Sequence, residues 1–214
     1  MAESAAVLAA LDDFRAVVVW IEEHVAPLNL NTEGRQHQMV YGCLDLALEH
    51  QAAIYVLASQ GLWGSALALL RLLFESVIRG VWLAGCAQEP DLDEFERNGL
   101  KKHTFAKLID DIEAKCGHRG RVLARIVDSS WGTLNDFTHC GYQHVVRRNS
   151  RTETGSKYKD KEKNQAINFA TGLGLFAATQ LADTFGYKDV VQASLARAEK
   201  FACDRDARKQ KESV

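Results

Sequence analysis

Two clusters of residues in this chain have types and spacings that suit chemistry. The first is Arg71, Glu75 and Arg79. The second runs from Asn135 to Arg148, NDFTHCGYQHVVRR, and holds Asn135, Asp136, His139, Gln143, His144, Arg147 and Arg148. Histidine titrates near neutrality and suits proton transfer. Arginine is always charged and holds phosphate or carboxylate in a forked geometry. Together they offer acid/base catalysts and anion contacts without a metal. They could support metal-independent RNA cleavage, with His139 or His144 as acid/base, Glu75 as an orienting group or base, and Arg79 or Arg148 holding the phosphate. Arg71, Asn135 and Arg147 complete the expected binding surface. A bland reading stands beside it: Arg71, Glu75 and Arg79 form an internal ion-pair brace, and the histidines are satisfied by Asp136 or Glu75 at a helix contact.

Spacing ties each cluster to a helix. Four residues advance about 400° around an α-helix, so residues 71, 75 and 79 form one stripe and Glu75 can pair with either arginine. The stripe lies in Leu62–Cys86, LWGSALALLRLLFESVIRGVWLAGC, which is otherwise almost wholly apolar. A helix apolar nearly all round is a central one. Three charges near its middle would each cost roughly 2.5–3.5 kcal/mol in a bilayer, so a buried helix is expected rather than a membrane span. In the second cluster, Asp136 is placed to orient His139, and Asn135, His139 and Gln143 share a stripe if the helix runs on past Gly141.

The remaining elements follow from apolar periodicity. A first helix is expected from Ser4 to Val25, ended by Pro27. A second begins near Asn31 or Thr32, reaches about Gln60 and turns at Gly61 into the central helix. Asp91, with Glu94, is expected to cap a short helix. His103–Cys116 and Arg121 to about Cys140 follow, with Gly117 and Gly120 between them. Ala166–Phe185 and Tyr187 to about Asp204 complete the set. Residues 147–163 carry seven basic and three acidic side chains and almost no apolar ones, and are read as a mobile basic loop. The expected fold is all-α: a single helical bundle of about six or seven helices over residues 1–203, one long polar loop, and a frayed tail at 204–214.

Composition narrows the class further. Hydrophobic content of 47% and charged content of 25% are ordinary for a globular domain, and a net charge of −2 gives no global pull toward nucleic acid or anionic membrane. Five cysteines without a CxxC pair suggest neither a disulfide framework nor a zinc ribbon. His139, Cys140, His144 and Glu75 lack metal-binding spacing, so no metal and no cofactor are expected. The acidic start, MAESAAVLAALDDF, is a poor signal sequence, and a cytoplasmic location is the default.

Two segments, LLRLLFESVIRGVWLAGCA and WGTLNDFTHCGYQHVVRR, resemble a family of uncharacterised bacterial helical-bundle proteins. The family pattern falls on Arg71, Phe74, Glu75, Arg79, Trp82, Trp131, Asn135, His139, Gly141, His144 and Arg148. It implies a fold but no activity. A looser similarity is to HEPN domains, dimeric all-α bundles of defence and toxin–antitoxin systems, many of them ribonucleases. Their signature places histidine four to six residues after arginine, whereas in the Asn135–Arg148 cluster the order is reversed, His144 preceding Arg147 and Arg148. That similarity implies a homodimer acting on RNA. The alternative is a non-enzymatic dimeric helical module that binds a protein partner or a small anionic ligand.

Overall fold

The computed structural model describes residues 3–115, 120–148 and 157–212. Those residues form an all-α bundle: α1 (Ala5–Val25), α2 (Arg35–Ser59), α3 (Trp63–Gly85), α4 (Glu89–Asn98), α5 (Phe105–Lys115), α6 (Val122–Thr138), α7 (Tyr142–Val145), a 3-10 turn (Val146–Arg148), α8 (Asp160–Thr184) and α9 (Lys188–Glu212). The count exceeds six or seven because short helices, α4 and α7 among them, join the long ones. Among the described residues no helix is long and apolar enough to cross a membrane.

α3 is the central element. Fourteen of its 23 residues are buried, and it packs on α2, α5, α6 and α8. Leu73, Phe74, Val77, Ile78 and Leu83 are fully enclosed, each contributing about 1.5–3 kcal/mol of burial. Phe74 meets Phe105 of α5 and Phe169 of α8 edge-on, at 5.4 and 5.7 Å between centroids. On the far side α1 packs against α8 and α2, and α9 against α8.

α2 and α3 form an antiparallel hairpin. Gly61 takes the left-handed conformation (φ 72°) that ends α2, and the Leu62 N–H reaches back to Leu57 O at 2.8 Å. At the other end, Gln36 Nε2 donates to Leu83 O at 2.6 Å. The helices approach closely because α3 carries Gly80 there. A Cβ on Gly80 would lie 2.7 Å from Leu44 Cγ and 3.3 Å from Cys43 Cβ.

Several boundaries differ from the sequence expectation, each through a local bond. α2 starts at Arg35, because Asn31 Oδ1 accepts the Glu33 N–H in a turn and does not cap the helix. α4 starts at Glu89, with Pro90 tolerated in its first turn. Asp91 is therefore inside the helix, and its carboxylate accepts the Gln88 N–H at 2.8 Å. α5 begins after Thr104, whose hydroxyl accepts the Lys107 N–H at 3.2 Å. α8 begins at Asp160, where Glu162 Oε2 accepts the Lys159 N–H. The expected basic loop thus loses both ends to helix, and its middle, 149–156, lies outside the described residues, as do Cys116 and Gly117. α9 continues to Glu212, so the helix runs through most of the expected tail.

Gly80→Ala tests the α2–α3 contact. Overpacking costs roughly 1–3 kcal/mol, and the better helix propensity of alanine returns about 1 kcal/mol. Urea unfolding should show a net loss of about 1 kcal/mol. Stability equal to or above that of the parent would show that Leu44 gives way freely.

Candidate functional site

The polar stripe of α3 is not solvated, and its charges meet one another. Arg71 Nε donates to Glu75 Oε1 at 2.7 Å, and Arg79 Nη2 lies 3.2 Å from Glu75 Oε2. Glu75 therefore holds both arginines. Its side chain is 14% exposed, that of Arg71 20% and that of Arg79 39%. Of the three, Arg79 faces outward the most.

Arg71 is fixed from three directions. Besides Glu75, its Nη1 lies 2.6 Å from His139 Nε2. Guanidinium only donates, so Nε2 accepts and the imidazole proton sits on Nδ1. Its guanidinium carbon also lies 4.8 Å over the Trp131 ring. Trp131 also stacks on Phe105, 4.4 Å between centroids and 13° from parallel.

The stripe and Trp131, but not His139, open onto a cavity of about 150 Å³ lined by Arg71, Glu75, Arg79, His103 and Trp131, with Gly99, Leu100, Phe105 and Leu108. The α4–α5 connection forms one wall. Gly99 and Leu100 both adopt left-handed backbone there (φ 64° and 60°), which for leucine costs roughly 1–2 kcal/mol. Leu100 is buried in return. His103 lies over Trp82, 5.1 Å between centroids, with Nε2 3.4 Å from Asp91 Oδ1.

The histidine cluster is divided. α6 ends at Thr138, Cys140 is left-handed (φ 57°), and Gly141 starts α7. A Cβ on Gly141 would lie 2.8 Å from Asp136 Cα, so only glycine fits the corner. The helix does not run on, and Asn135, His139 and Gln143 do not share a stripe. Asp136 does not orient His139; its Oδ2 accepts the Gln143 N–H at 3.1 Å. Asn135 is outside the cavity lining.

His144 sits elsewhere. Its Nδ1 donates to Phe137 O at 2.7 Å, and its ring faces Phe137 and Tyr158. Nε2 points at Gly64, as does Arg148. Gly64 and Arg71 are seven residues apart, so about 10 Å along one helix face separates the His144 and His139 contacts. Between them Thr138 Oγ1 bonds Ala68 O at 3.1 Å and Leu134 O at 2.9 Å. Arg147 is committed to structure: it pairs with Glu162, bonds Gln143, and lies 5.6 Å over Phe137.

The structure thus brings Arg71, Glu75, Arg79 and His139 together, and sets His144 and Arg148 in a second cluster. Sequence reasoning missed His103, Phe105 and Trp131 as cavity walls. The latter two read as core positions, and no local pattern in the sequence places the α4–α5 connection against α3. Among the described residues no group of three or more His, Cys, Asp and Glu side chains gathers closely enough for a metal.

The two segments that build this site, in α3 and α6–α7, both lie inside residues 44–204, which match a family of unknown function (DUF6988). The chain belongs to that family. The match takes in the cavity and the second cluster together, and begins within α2. No curated protein and no solved structure gives a significant match to the chain.

Arg147 and Glu162 yield a pH prediction. Burial raises the Glu162 carboxyl, but Arg147 and the Lys159 N–H outweigh it and hold the group below its ordinary value. A depressed carboxylate stabilises the fold above the unfolded value and loses that contribution as pH falls through the folded one. Glu162→Gln should cost about 1 kcal/mol at neutral pH. The gap between parent and variant melting temperatures should close only in acid. A gap independent of pH would exclude the ion pair as its source.

Proposed function

We propose that the protein is an anion-binding helical module whose α3–α5–α6 cavity takes the phosphate group of its ligand. The observation that carries this is the Arg71–Glu75–Arg79 stripe at the cavity wall. Glu75 neutralises one of the two arginines, so one positive charge is left over beside a site with donors on several sides. Arg79, the more exposed arginine, meets the ligand, while Arg71 is held in place by Glu75, His139 and Trp131. The size supports a head-group site, since about 150 Å³ is roughly half the lower bound for pockets that enclose whole drug-sized ligands. Engaged by Arg71 and stacked on Phe105, Trp131 acts as a wall and not as a platform for a base.

The test is titration with inorganic phosphate, read at the arginine Nε–H resonances of Arg71 and Arg79. Saturable shifts are expected at both, and Arg79→Gln should weaken binding at this site about tenfold, the value of a hydrogen bond to a charged group. Shifts absent from both arginines would remove the reading.

A second reading, a HEPN-like metal-independent ribonuclease or defence toxin, is favoured by the Arg71–His139 contact. His139 is exposed; with Arg71 turned from it to the phosphate, its freed Nε2 could take the proton of a ribose 2′-hydroxyl as that oxygen bonds to phosphorus, and the imidazolium would give the proton to the 5′-oxygen as the P–O5′ bond breaks, with arginine stabilising the charge that develops. His144, in a different cluster, would not act on the same phosphate. Purified protein should then cut RNA in the presence of a chelator, and His139→Ala should lower the rate about 100-fold or more. Cutting that survives the substitution would remove His139 from the reaction; parent protein that binds phosphate but never cuts would leave the binding module alone.

A further inference from the structure

The second cluster lies at the start of α3 and is independent of the cavity. α3 begins at Trp63 with Leu62 as its N-cap, and no side chain caps it. Its first-turn N–H groups therefore lack intrahelical partners, and this end of the helix carries partial positive charge. Gly64 is the second helical residue. A Cβ there would come within 3.0 Å of His144 Nε2 and 3.2 Å of Tyr158 Oη, and nearer still to Arg148 Nη2. Three polar side chains thus converge on bare backbone at a helix N-terminus.

Their partners are missing in an informative way. Tyr158 is only 5% exposed, and its hydroxyl is buried without a hydrogen-bond partner. An orphaned buried hydroxyl destabilises the fold, and a ligand that accepts its proton relieves that cost. Burial pushes the phenol up, so it stays protonated and able to donate. The carboxylates nearby are engaged: Glu3 with Trp63 Nε1 at 2.8 Å and with Lys163, and Glu162 with Arg147. Arg148 has no carboxylate partner among the described residues, yet packs on the positive end of a helix. Like charges in contact are stabilised by an anion that pairs with both.

We propose that the N-terminus of α3, with Tyr158, His144 and Arg148, is a second anion site that binds a phosphate group. The Gly64 and Ser65 N–H groups and the Tyr158 hydroxyl donate to its oxygens, and glycine at 64 permits the close approach. Arg148, exposed at the rim, swings aside to admit the anion and then pairs with it. His144, oriented by Phe137 O, lines the site. The phosphate is either free or part of an RNA strand.

The experiment follows the Gly64 and Ser65 amide resonances while protein is titrated with inorganic phosphate, and separately with a short single-stranded RNA. Saturable shifts with phosphate are expected, and shifts with RNA alone would assign the site to phosphodiesters. Tyr158→Phe removes the hydroxyl and keeps the ring. Without phosphate it should melt at or above the parent temperature, and it should bind phosphate about tenfold more weakly at Gly64. Arg79→Gln should leave the Gly64 shifts intact, which separates this site from the cavity. Absence of shifts at both amides with either titrant would overturn the proposal. So would a Tyr158→Phe variant that melts lower without phosphate and binds it as tightly, because the hydroxyl would then already be satisfied.

Discussion

Placing a carboxylate between two arginines on a buried helix constrains everything around it. α3 needs an apolar surface to act as the centre of the bundle, and a lone charge there would be expensive. Glu75 resolves the conflict by taking a hydrogen bond from Arg71 and an ion pair from Arg79. The arrangement also fixes direction. Arg71 must point along the helix toward Glu75, and that aims its remaining N–H groups at the end of α6. Trp131 and Phe105 then stack beneath the guanidinium. The positions of α5 and α6 on α3 follow from where this polar stripe runs.

The same geometry explains how binding and bracing share residues. Arg71 spends its capacity on three neighbours, while Arg79 makes one ion pair and keeps more of its surface open. A helix whose stripe were wholly satisfied would be a brace and nothing more. Here the pairing is uneven, and the uneven side borders the cavity. His139 adds a neutral acceptor at the outer edge, beside the charge that a phosphate would need.

What the sequence revealed follows the range of the forces involved. The four-residue period of Arg71, Glu75 and Arg79 is local, so the stripe and the central helix could be read directly. The meeting of that stripe with His139 was suggested because two dense polar runs on apolar helices need partners. The fate of the Asn135–Arg148 run was not legible. It turns on the fit of Gly141 against Asp136, a corner that breaks the helix and sends His144 about two turns of α3 away from His139. The α4–α5 wall was hidden for a similar reason: Leu100 adopts a backbone that leucine rarely chooses, and tertiary burial alone accounts for it. Starts of α2, α5 and α8 shifted because short side-chain-to-backbone bonds decide between neighbouring caps.

Thr138 ties these observations together. Its single hydroxyl proton faces two carbonyls, Leu134 O within α6 and Ala68 O on α3, and can serve only one of them fully at a time. The end of α6 is therefore stitched to α3 by a shared bond, halfway between the two clusters. That makes Ala68 the point of α3 to which the end of α6 is pinned, with the His139–Arg71 contact on one side of it and the approach of His144 to Gly64 on the other.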